Sequence, residues 1–104
     1  ILPQAGLAVL ESFRAANEAV LPQLQQALAT ATAEVNAAPA VAAGHSAAYF
    51  ELPLPIIQQS IPHSKLVAVP ARDARSDLER MFTKAAGADM AMIGGKLPDA
   101  GFYL

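Results

Sequence analysis

The chain contains no cysteine. That excludes a disulfide framework, a thiolate zinc site and a cysteine nucleophile together. Charge is scarce too: Asp, Glu, Lys and Arg make up 15% of the 104 residues, against roughly 25% in ordinary domains. What charge there is nearly cancels, leaving a net charge of −2 and a pI near 5.5. A general nucleic-acid binder, which needs a basic surface, is excluded on that ground. Long apolar runs are missing. The longest uncharged run, 35–50, has 16 residues, seven of them alanine, and is broken by Pro39, Gly44 and His45. A membrane-spanning helix needs about 20 apolar residues. No basic stretch precedes an apolar one, so no signal peptide is visible and the default location is cytoplasmic. The chain starts Ile1-Leu2-Pro3 and stops at Phe102-Tyr103-Leu104. Both ends read as those of a processed product or an excised domain.

What is present is apolar and small. Hydrophobic residues are 54% of the chain, of which 24 residues are alanine, leaving 32 larger ones. That suits one small domain over 1–104, with a helical N-terminal segment at 4–37 and an α/β part at 48–104. Leu7, Leu10, Phe13, Val20, Leu24, Leu28, Ala31 and Val35 recur at three- and four-residue steps and line one face of the first segment. Glu11, Arg14 and Glu18 fall opposite, spaced for weak ion pairs. Pro22 has no N–H to give, which predicts a kink with Pro22 in the first turn of a second helical piece. Unbent, a helix over 4–37 would run ~51 Å, far beyond the ~13 Å radius of gyration of a compact 100-residue domain.

The second half reads as strands around one helix. Ala48 to Leu52 and Lys65 to Val69 are short apolar runs stopped by prolines, the second the clearer strand. Ser76-x-x-Glu79 has the form of a capping box. Leu78, Met81, Phe82, Ala85 and Ala86 give the helix after it a buried stripe, and Gly87 suits its left-handed end. Met90 to Ile93 and Phe102 to Leu104 read as two further strands, with Gly94-Gly95 a turn between them. The expected fold is α+β: a Pro-kinked helix, then a small, mostly antiparallel sheet with one amphipathic helix, in the order α-β-β-α-β-β. Its core is expected to unite Leu66, Val67, Val69, Leu78, Phe82 and Ile93.

Residues that carry chemistry are few. Gly94-Gly95-Lys96 lacks the first glycine of a phosphate loop, has Leu97 in place of the magnesium-binding hydroxyl, and is followed by Pro98. His45 and His63 are 18 positions apart with no metal-ligand spacing. No metal or other cofactor is expected, and nothing supports catalysis. Arg72 and Arg75, beside the expected helix start, are candidate contacts for a small anion. The mean hydropathy of +0.33 is high for so small a chain, because small domains bury a lesser share of their apolar surface. Leftover apolar surface marks a contact, and the candidate interface residues are Leu7, Leu10, Phe13, Leu52, Leu54, Ile56 and Ile57.

From Leu21 to Leu104 the chain resembles the C-terminal domain of the enhanced-serine-sensitivity (SseB) proteins. The resemblance rests on Leu24 and Leu28, Val41 with Ala48-Tyr49, Leu66 to Val69, Leu78 to Phe82, and Phe102-Tyr103. It implies a small bacterial-type, non-catalytic domain and transfers no site. The function expected is a non-catalytic protein-interaction or assembly module, binding a protein partner or self-associating as a homo-oligomer. Two other readings stay open. One is a small-ligand-binding or enzymatic domain with a pocket near the Pro53–Pro62 segment, and the other a chaperone-like binder of a partner segment.

Overall fold

Prolines set the helix boundaries in the middle of this chain. The computed structural model describes residues 3–104, and among them there is helix and irregular chain but no strand. The chain packs as two compact units, Asn17–Ala68 and the described residues up to Ala16 together with Val69–Leu104.

The Asn17–Ala68 unit begins with a single 3-10 turn, Glu18–Val20, and continues into α2, Leu21–Ala37 (α1 lies in the other unit, at Glu11–Ala16). Pro22 sits in the first turn of α2, where the missing N–H would have had no partner. Ala38 is pushed out of helical geometry, at φ −136° and ψ 67°, because the ring of Pro39 crowds the residue before it. Pro39 then opens α3, Pro39–Phe50. Glu51 turns the chain in the left-handed region, at φ 51°. Pro53 lies extended, and α4, Leu54–Ser64, follows with Pro55 in its first turn. Pro62 falls in the last turn of α4, where the helix is already ending, and Lys65 closes it in the left-handed region at φ 47°.

Ala43, Ile57 and Ile61 form the core of this unit, with Val35, Ala42 and Ala47 packed against it. The pairs Ala43/Ala47 and Ile57/Ile61 are each four residues apart, so each shares one helix face. Ala43 is wholly buried. A methyl group at that point lets α3 lie close against the two isoleucines of α4. The Asn36 amide donates to the Leu66 carbonyl at 2.9 Å, pinning the end of α2 to the chain leaving α4. Helix hydroxyls satisfy themselves locally: Thr32 on Leu28 O, Ser46 on Ala42 O and Ser60 on Ile57 O, each at 2.8 Å.

In the other unit α1 is held at its start by Arg14 N–H donating to Leu10 O at 2.9 Å, and Arg14 Nε also donates to Glu11 Oε2 at 2.8 Å. That bond holds the Glu11 carboxyl below its ordinary pKa. The main helix is α5, Arg75–Ala88, led in by a turn in which Ala74 N–H donates to Pro70 O at 3.1 Å. A 3-10 turn, Met90–Ile93, follows, capped by the Asp89 carboxylate on Ala91 N–H at 2.9 Å. Gly94 and Gly95, at φ 71° and 89°, reverse the chain where side chains would strain it. A last 3-10 turn, Ala100–Phe102, carries the tail back along α5. There Phe102 meets Phe82 edge-on at 6.2 Å and Tyr103 at 5.2 Å. The Leu104 carbonyl accepts from Arg72 N–H at 3.1 Å, ahead of the first turn of α5.

The α+β expectation with an antiparallel sheet is overturned. Ala48 to Phe50 are the last turn of α3, Met90–Ile93 is a 3-10 turn, and 66–69 is irregular chain. A run of four or five apolar residues suits helix or strand equally, and a strand without a neighbour leaves its backbone groups unpaired. The alanine-rich stretch 36–48, expected to be a connector between the two parts, is helix almost throughout because alanine is the best helix former. The helix expected over 4–37 is likewise interrupted. Residues 4–10 are not helical, and Asn17 breaks the chain at φ −133° and ψ 33°. Gly6 adds about 1 kcal/mol to the cost of helix in that first stretch. The expected common core is divided as well: Leu66 and Val67 belong to one unit, Val69, Leu78, Phe82 and Ile93 to the other, and Leu66, Val67 and Val69 are exposed.

Candidate interaction surface

The apolar side chains expected to meet a partner lie in two places. Leu7 and Leu10 precede α1 and are largely exposed, while Phe13 within α1 is less so. Leu52, Leu54 and Ile56 surround the tight turn from α3 to α4, each about half exposed. Ile57 is different. It is 6% exposed and belongs to the core with Ala43 and Ile61. A helix turns about 100° per residue, so of the neighbours Ile56 and Ile57 one faces water and the other α3.

Sequence reasoning missed the two most prominent members of the second cluster. Tyr49 is 89% exposed and Phe50 63%, both in the last turn of α3. Read as a strand, this pair would alternate between a core face and an outer face. The helix instead ends there, and Glu51 in the left-handed region swings the chain away before either ring finds cover. Tyr49, Phe50, Leu52, Leu54 and Ile56 thus cap one end of the α3–α4 hairpin. Glu51 is the single charged residue between 35 and 64.

Of the basic pair, the Arg75 side chain is already engaged. The Arg75 guanidinium donates from Nε to Glu79 Oε1 at 2.8 Å and lies 5.1 Å over the Tyr103 ring. Glu79 thereby raises the Arg75 pKa, through the hydrogen bond first and its charge second. The Arg72 backbone N–H is taken by Leu104. An anion at Arg75 would compete with Glu79 for the guanidinium. The expected capping box is not formed: Ala74 precedes α5 without a side-chain cap, Ser76 lies inside the helix, and Glu79 turns to Arg75. Gly87 is an ordinary helical residue, and Asp89 in extended geometry ends α5.

Tyr103 is 6% exposed, and its buried hydroxyl has no hydrogen-bond partner among the described residues. Burial raises its pKa above the ordinary phenol value, the Glu79 charge adds to this, and Arg75 opposes it.

The segment Pro53–Pro62 is mostly helix α4, and its Ile57 and Ile61 are spent on the core. A groove of about 640 Å³ lies instead along α2, lined by Pro22, Gln23, Gln26, Thr30 and Glu34 among others and open to solvent. No group of three or more His, Asp or Glu among the described residues is placed to hold a metal ion. No helix among them is long and apolar enough to cross a membrane. No protein-family model, curated protein or solved structure matches the chain.

Proposed function

We propose that the chain is a non-catalytic helical interaction module that covers its apolar side chains with protein surface. The observation that supports this most is the imbalance between core and surface. The Asn17–Ala68 unit buries Ala43, Ile57 and Ile61, yet leaves Tyr49, Phe50, Leu52, Leu54 and Ile56 in water. An isolated domain gains by turning such side chains inward, at ~1.5–3 kcal/mol for each large one fully buried. Clusters that stay outside mark contact sites. Leu7 and Leu10, at 71% and 76% exposure, are further large apolar side chains left in water.

Two measurements test the module together: light scattering of the purified chain across concentration, and fluorescence of a dye that lights up on apolar surface. The expected result is assembly, or a monomer that binds the dye. A monomer of constant mass that binds no dye refutes the reading.

A further inference from the structure

Resting on the module reading, we infer that the end of the α3–α4 hairpin is a two-fold interface, and that its occupant is a second copy of this chain. The first argument is charge. Between 35 and 64 the sequence carries one formal charge, Glu51. An ordinary protein surface is about a quarter charged, and each charge pressed against this hairpin would lose its water without gaining a partner. A second copy of the patch presses the fewest charges against it, one Glu51 per chain. A two-fold contact needs one self-complementary patch, used twice.

The second argument is area. Two aromatic rings of ~200 Å² each, 89% and 63% exposed, and the half-exposed Leu52, Leu54 and Ile56 offer about 450 Å² of side chain per copy. Two copies would cover about 900 Å², below the usual size of specific interfaces. The dimer is therefore weak, with a dissociation constant on the order of 100 µM. Tyrosine is among the residue types that dominate binding at such contacts.

Glu51 supplies a signature. In a two-fold contact both Glu51 carboxylates approach one axis and repel. Added salt screens that repulsion and tightens the dimer, and Glu51→Gln does the same. A basic partner drawn to Glu51 would show the opposite dependence.

Sedimentation velocity up to about 1 mM chain is the test, at low and high salt. The mass should rise from 10.8 kDa toward twice that value. Tyr49→Glu should weaken the dimer at least tenfold while helical circular dichroism is unchanged, and Met92→Glu, at an exposed site elsewhere, should not. Because the chain has no cysteine, Glu51→Cys gives an independent reading: mild oxidation should link two copies through this position near the axis, and Met92→Cys should not link. Constant monomer mass with dye binding overturns the second copy and leaves the module reading standing. Constant monomer mass without dye binding overturns both. A dimer indifferent to Tyr49→Glu, or one that loosens with salt, overturns this interface.

Discussion

Replacing Ile57 and Ile56 by alanine, one at a time, separates the inside of α4 from its outside with identical chemistry. Each change removes three carbons, worth about 0.8 kcal/mol apiece when buried. Ile57 is 6% exposed, so it forfeits nearly the full ~2.4 kcal/mol. The space left between Ala43, Ile61 and Ala47 adds a cavity term, taking the loss to about 3 kcal/mol. Ile56 is 55% exposed, and less than half of its transfer term is at stake, ~1 kcal/mol. Alanine is also the better helix former, which returns a few tenths to both variants. Urea titrations followed at 222 nm, at a concentration too low for assembly, give the two losses from the midpoints and a shared slope. Ile57→Ala should lower stability by at least 1.5 kcal/mol more than Ile56→Ala. Equal losses, or a greater one at Ile56, would mean that α4 is rotated by about a residue and that the Ala43–Ile57–Ile61 core is misassigned.

Tyr103→Phe removes a buried hydroxyl that lacks a partner and should stabilise the unit containing α5 by about 1 kcal/mol in the same titration. The Tyr103 pKa is raised in the folded chain, so its contribution is complete below the ordinary phenol value of ~10 and is lost as pH climbs past it; Tyr103→Phe should flatten that alkaline decline in thermal melts. Lys65→Gly should stabilise by about 0.5–1 kcal/mol, because φ 47° strains a side chain more than glycine's extra freedom costs in the unfolded state. EDTA should leave the melting temperature unchanged, since no cluster of metal-ligating residues exists among the described residues; a fall of several degrees would reveal a site.

Some of this architecture is legible residue by residue. Pro22 announces the first turn of a helix, because the N–H it lacks is one that no helix start uses. Pro39 marks Ala38 as a break for the complementary reason. The stripe of Leu78, Phe82 and Ala85 places α5 correctly, and Gly94-Gly95 reverses the chain. Other prolines misled further along. Pro53, Pro55 and Pro62 read equally well as the ends of strands or as the edges of helices, and the choice reverses the fold class. The exposed apolar side chains at Leu7, Leu10, Leu52, Leu54 and Ile56 were visible in composition and spacing. Tyr49 and Phe50 were not, because a strand and a helix end send that pair in different directions.

Sequence alone determined the helix breaks at Pro22 and Pro39, the absence of thiol chemistry and the near-absence of charge between 35 and 64, since each follows from what single residues can or cannot do. Only the tertiary structure decided between sheet and helix for the short apolar runs. A strand exists through its neighbour, whereas a helix closes its hydrogen bonds within itself. The tertiary structure also chose which apolar residues lie inside. Ala43 is buried because Ile57 and Ile61 happen to arrive opposite it, and no property of an alanine among 24 distinguishes that one before the helices meet.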